Sequence, residues 1–137
     1  MNPLELVVGQ KARRSKTVTG RDVDLYAEIT GDRNPLHFDL AFAAGTRFGR
    51  LVAQGGIASG MLNALVAMDL PGPGTVFMSQ TLKYLAPTYL GDTLTAEVEV
   101  LSVKPDKPVC QLKATVTNQD GTVVLEGECW TYTMRPA

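Results

Sequence analysis

One segment of this chain limits its fold more than any other. Residues 55–70, GGIASGMLNALVAMDL, are apolar on nearly every side, with small residues at Gly56, Ala58, Ser59 and Gly60. A helix lying on a protein surface carries one apolar stripe and a polar back. This segment has almost no polar back, so as a helix it must be buried on most sides. It is too short and too mixed to span a bilayer, since Ser59 and Asn63 lie within it. Pro71, Gly72, Pro73 and Gly74 stop it decisively.

Beyond that helix the chain is almost all strand pattern. TVFMSQTLKYLA begins at Thr75 and leads to a break at Pro87. DTLTAEVEVLSV alternates well, and PVCQLKATVTN and TVVLEGECWTYTM lie on either side of Asp120-Gly121. An Asp-Gly pair between two alternating runs is a hairpin signal. An early strand around Lys11 to Val18 completes an antiparallel sheet of about five strands. A sheet with one buried face needs a partner layer, and the apolar helix is the one on offer. The economical arrangement curves the sheet around that central helix. This predicts an α+β fold of hot-dog architecture, with residues 1–137 as a single domain.

Ahead of the helix, Thr19 reads as an N-cap with Asp22 in the first turn of GRDVDLYAEIT. Gly31 ends that helix, a loop runs from Asp32 to Asp39, and Asp39 caps a short helix over LAFAAG.

Composition excludes several function classes. The chain is 45% apolar and 20% charged, as in a soluble globular protein. Its net charge of -1 leaves no nucleic-acid footprint, and Arg13, Arg14 and Lys16 read as a solvated strand. The opening MNPLELVVGQ has neither the basic flank nor the apolar run of a signal peptide. Cys110 and Cys129 read as reduced, buried thiols, too few to hold a metal. The expectation is a cytoplasmic protein without metal or membrane contact.

The chemistry concentrates in GDRNPLHFD, residues 31–39. Turn propensity accounts for Gly31, Asp32, Asn34 and Pro35. It does not account for His37, the only histidine in the chain and the side chain best suited to proton transfer near neutral pH. A carboxylate and an imidazole on one short loop can hold a water between them and supply both a base and an acid. Pro35 stiffens the intervening backbone, and the Asn34 side chain can fix the loop.

YAEITGDRNPLHFDLAFA, from Tyr26 to Ala43, resembles the signature of the MaoC-like hydratases, the (R)-specific enoyl-CoA hydratases. That signature runs Gly-Asp, one variable residue, Asn-Pro, an aliphatic residue and His, with a small residue a few positions on. Gly31, Asp32, Asn34, Pro35, Leu36 and His37 match it in order, and Ala43 supplies the small residue. LKYLAPTYLGDTLTAEVEV is similar to the strand, proline break and Gly-Asp turn of the same family.

The resemblance implies that Asp32 and His37 are the catalytic pair. It implies an oxyanion contact from backbone N–H groups at Gly55 and Gly56, where the buried helix begins, although Gln54 stands where the family usually has His. It further implies an acyl-CoA substrate, with acyl carrier protein as a possible carrier, and no cofactor beyond the coenzyme A of that substrate. A single hot-dog unit leaves sheet edges uncovered, so the resemblance implies a homodimer with the two sheets joined.

Within the helix, Ser59, Asn63 and Val66 recur at spacings of four and three, which places them on one face as candidate walls of the acyl pocket. An amide there favours short chains of about four to six carbons, because an alkyl chain buried against unsatisfied polar atoms is unfavourable. Two other readings compete. A hot-dog acyl-CoA thioesterase commonly has a carboxylate on the central helix, and none occurs here before Asp69. A non-catalytic acyl-CoA-binding module would keep the pocket yet need neither Asp32 nor His37.

Overall fold

In the computed structural model, which describes residues 3–136, nine elements succeed one another. They are β1 (Lys11–Thr17), α1 (Gly20–Thr30), α2 (Pro35–Phe38), α3 (Leu40–Ala44), α4 (Gly55–Met68), β2 (Thr75–Tyr84), β3 (Thr93–Val103), β4 (Val109–Thr117) and β5 (Val123–Thr133). The five strands form one antiparallel sheet in the order β1-β3-β4-β5-β2. This is the hot-dog arrangement expected, with one face of α4 packed on the sheet. The face that carries Asn63 and Met68 is exposed in the single chain, so the helix is not buried on most sides as its sequence suggested.

The core arises from the alternation. Leu94, Ala96, Val98 and Val100 of β3 and Leu112, Ala114 and Val116 of β4 turn inward and are buried. They meet Ala58, Leu62, Leu65 and Val66 of α4, each also buried. Each leucine so enclosed contributes on the order of 1.5–3 kcal/mol relative to exposure. Cys110 and Cys129 belong to this core as free thiols. Burial pushes Cys110 up to about 11 and Cys129 to about 12, so both are inert thiols near neutral pH. Trp130 and Tyr132 sit on the opposite face of β5, half-buried, with the Lys104 ammonium 5.3 Å from the Trp130 ring.

The two sheet edges differ in chemistry. On β1, Lys11, Arg13, Arg14 and Lys16 pair with Glu99, Glu97, Asp69 and Asp22 respectively. A charged edge of this kind resists pairing with another chain. On β2, by contrast, Val76, Met78 and Tyr84 are exposed, and Lys83 is the single charge. Among the described residues no helix is long and apolar enough to cross a membrane.

The helices ahead of α4 start as their sequences dictate. Thr19 caps α1 in a reciprocal box with Asp22, and Gly31 closes it at φ 80°. Asp39 caps α3 through the Phe42 N–H. The loop expected between Asp32 and Asp39 contains one feature not foreseen: Pro35–Phe38 form a single helical turn, α2. Asn34 caps it by accepting from the Leu36 N–H at 3.1 Å, and Pro35 occupies the first helical position, where its missing N–H costs nothing.

Candidate active site

The Asp32–His37 loop is held by a chain of short local bonds. Thr30 Oγ1 donates to the Tyr26 carbonyl at 2.7 Å and accepts from the Asp32 N–H at 3.1 Å. Asp32 Oδ1 in turn accepts from the Asn34 N–H at 3.2 Å. One carboxylate oxygen is thereby committed to the backbone, which leaves Oδ2 free to point elsewhere. It points at His37, whose Nε2 lies 3.6 Å away.

The imidazole is fixed from its other side. His37 is buried, and its Nδ1 lies 2.7 Å from the Val52 carbonyl. A main-chain carbonyl can only accept, so Nδ1 carries the proton. In the neutral ring Nε2 is then an unprotonated acceptor, facing an acceptor on Asp32. Two acceptors 3.6 Å apart make no bond with each other, but a water at the apex can donate to both at about 2.8 Å. Val52 also donates its N–H to the Leu36 carbonyl at 3.1 Å and bridges to Tyr89. The strap leading into α4 therefore holds the Asp32–His37 loop through its main-chain atoms. No side-chain pattern announces such a contact, which is why the sequence offered no sign of Val52.

Val52 leads directly to the start of α4. Thr19, Asn34 and Asp39 cap the three preceding helices, whereas Gln54 makes no side-chain capping bond to α4. Among the described residues the first N–H groups of α4 have no side-chain acceptor, and they carry the positive end of the helix dipole. Gln54 is buried instead, with Nε2 donating to the Val23 carbonyl at 3.1 Å, so it ties α1 to α4. Beside this terminus lies a cavity of about 320 Å³, walled by Gly55 and Ala58 of α4, Leu36, Phe48, Leu85 and Val124 among others.

The two glycines have separate reasons to be glycines. A Cβ on Gly56 would lie 1.8 Å from Tyr26 Oη, so that position admits the close packing of α1 and its side is covered. A Cβ on Gly55 would lie 2.8 Å from the Tyr84 ring, and Gly55 is the one that borders the cavity.

Ser59, Asn63 and Val66 do not form one wall of that cavity. Ser59 Oγ donates to the Gly56 carbonyl at 3.2 Å, Val66 is buried in the core and Asn63 is exposed. Spacings of four and three spread the three side chains over roughly 60° of helix circumference, and the edge of the core falls inside that arc. No cluster of residues able to hold a metal ion occurs among the described residues.

A family profile described as the MaoC like domain matches residues 6–124. The chain belongs to the MaoC-like family. Among its relatives, the (R)-specific enoyl-CoA hydratase of Aeromonas caviae is 39% identical over 128 residues, covering 93% of this chain and 96% of that protein. The 3-hydroxybutyryl-CoA dehydratase of Methylorubrum extorquens is 42% identical over 124 residues, covering 90% and 78%. The solved (R)-hydratase of A. caviae superposes with a TM-score of 0.91 at 38% identity, over 95% of this chain and 98% of that one. An R-hydratase of Pseudomonas aeruginosa gives the same TM-score at 40% identity, over 98% and 86%.

Proposed function

We propose that this chain is an (R)-specific enoyl-CoA hydratase, a hydro-lyase that adds water to trans-2-enoyl thioesters and runs in reverse as a 3-hydroxyacyl dehydratase. The observation that carries the reading is the pair of acceptors, Asp32 Oδ2 and His37 Nε2, set to share one water. Its MaoC-like membership and its likeness to hydratases over nearly its whole length support it.

On this reading few groups divide the reaction. The pair takes one proton from the water as its oxygen bonds to the β-carbon of the enoyl thioester. The electron pair of the double bond moves toward the thioester carbonyl, where the Gly55 N–H and the α4 dipole offset the developing negative charge. The captured proton then passes from the pair to the α-carbon. Because one pair of groups handles both proton transfers, hydroxyl and hydrogen arrive on the same face of the substrate.

The test is a spectrophotometric one. Crotonyl-CoA is expected to lose its enoyl-thioester absorbance without releasing free thiol, and chiral chromatography is expected to find (R)-3-hydroxybutyryl-CoA. Thiol release would favour the thioesterase, no turnover would favour a silent binding module, and an (S) product would point to different machinery.

The same reading includes a homodimer joined along β2, the edge that lacks charged protection and exposes Val76, Met78 and Tyr84. Sedimentation equilibrium is expected to give twice the 14.7 kDa chain mass, and Met78→Lys is expected to shift the protein toward monomer. A dimer insensitive to charge on β2 would place the interface elsewhere.

Short acyl chains belong to this proposal as well. Asn63 is exposed on the single chain, so it meets substrate only in a pocket closed by the second copy. Wild type is expected to prefer chains of about four to six carbons, with Asn63→Ala extending activity to longer ones. The measurement is kcat/KM against enoyl-CoA chain length; an unchanged profile would remove Asn63 from the pocket. The free thiols fit a reducing compartment, in keeping with a cytoplasmic location.

A further inference from the structure

Two arginines stand on the loop that borders the cavity beside Gly55, and the chemistry described so far uses neither. Arg47 lines that cavity, and Arg50 lies three residues later on the same loop. The loop is built to a fixed shape. Thr46 Oγ1 donates to the Ala43 carbonyl at 2.7 Å and accepts from the Phe48 N–H at 3.3 Å. Gly49 closes the turn at φ 75°, with its N–H on the Thr46 carbonyl at 3.1 Å. Tyr89 Oη then donates to the Phe48 carbonyl at 3.2 Å, and the Arg50 guanidinium lies 3.8 Å over the Tyr89 ring.

The basic residues of β1 all have carboxylate partners, but Arg47 and Arg50 have none among the described residues. A guanidinium stacked on a ring keeps its in-plane N–H donors directed outward, and that fork fits a phosphate. The cavity that Arg47 and Gly55 both line is walled largely by apolar groups, including Phe48, Leu85 and Val124. Arg50 stands beside it on Tyr89, whose hydroxyl holds the Phe48 carbonyl. A substrate with its thioester at Gly55 therefore has two ends to place. An alkyl end gains nothing from two unpaired guanidinium groups, whereas a phosphorylated carrier arm does.

We propose that Arg47 and Arg50 bind the phosphate at the end of the substrate's pantetheine arm, which lies in the Gly55 cavity, while the acyl chain leaves Gly55 on the other side. The proposal rests on the hydratase reading and extends it to the carrier end. The 4′-oxygen of the pantetheine arm carries an anionic phosphoryl group in both carriers, half of a pyrophosphate in coenzyme A and a phosphodiester to the protein in acyl carrier protein, so both present a phosphate to this site.

The experiment compares wild type with Arg47→Ala/Arg50→Ala, both exposed positions, and with the charge-retaining Arg47→Lys/Arg50→Lys. Four crotonyl thioesters serve as substrates: of coenzyme A, of acyl carrier protein, of 4′-phosphopantetheine and of unphosphorylated pantetheine. For the three phosphorylated substrates the alanine variant is expected to raise KM roughly tenfold with little change in kcat, and the lysine variant to recover part of the loss. For pantetheine the KM ratio of the two proteins is expected to approach one. Equal KM increases with and without phosphate would mean that the arginines only shape the cavity, and would overturn the proposal. An effect confined to the coenzyme A thioester would overturn it too, because the group read would then be on the nucleotide. Calorimetric titration with free 4′-phosphopantetheine, which carries no nucleotide, needs no turnover. Weaker binding by the alanine variant would support the site even if the hydratase reading failed, and unchanged binding would overturn it.

Discussion

Asp32→Asn and His37→Gln are each expected to lower the turnover of crotonyl-CoA by on the order of 10²-fold or more, with the thermal midpoint nearly unchanged. Stability survives because the bonds that shape the loop lie elsewhere. An asparagine at position 32 keeps an oxygen for the Asn34 N–H, now held by Oδ1 at 3.2 Å, but offers a weaker acceptor or a donor where Oδ2 stood. A glutamine at position 37 can still donate to the Val52 carbonyl, yet it cannot take up and return a proton. On the proposal that both groups act on one water, the double variant is expected to lose little more than either single one. Steady-state kinetics beside circular dichroism decides the matter. Near-wild-type hydration by either variant would remove that residue from the proton transfer, and a loss confined to KM would make it a binding group.

Much of this site was legible before any fold was drawn, for reasons that particular residues make plain. Asp32, Asn34 and His37 lie within one short stretch, so local bonds bring them together and their spacing carries the geometry. The central helix was legible because α4 has almost no polar back, although one of its faces is open in the single chain, and β3, β4 and β5 because they alternate and are joined by tight turns. Sheet order was less accessible. β1 and β2 reach opposite edges by pairing with β3 and β5, contacts between segments far apart in the chain that no local pattern encodes. A single turn such as α2 is too short to display helical periodicity. The Val52 carbonyl is a main-chain group and leaves no trace in residue type. Asn63 shows the remaining limit: helical spacing says which side chains are neighbours, but the boundary of the core between them depends on what the sheet covers.

Two glycine substitutions should move stability in opposite directions, one testing how tightly β2 is held and the other whether a face of α4 is open. At Gly127 of β5 an added Cβ would lie 1.8 Å from the Thr81 carbonyl oxygen, 2.9 Å from its carbon and 3.0 Å from the Leu82 Cα, all main-chain atoms of β2. Tyr26 at Gly56 can swing its hydroxyl tip aside, but a hydrogen-bonded strand cannot yield one atom without moving its neighbours. Gly127→Ala is therefore expected to cost roughly 1–3 kcal/mol, by the ordinary scale of overpacking. The displaced strand leads into Tyr84, Leu85 and Ala86, which wall the cavity beside Gly55, so activity should fall with stability. Gly60, in the interior of α4, has open space where its Cβ would go. There Gly60→Ala is expected to stabilise by about 0.5–1 kcal/mol, because alanine loses less backbone freedom on entering a helix. Urea denaturation of the two variants beside wild type measures both effects. If Gly127→Ala is as stable as wild type, β2 is free to shift against β5 and the cavity wall is softer than this packing requires; if Gly60→Ala destabilises, that face of α4 is already occupied by another surface.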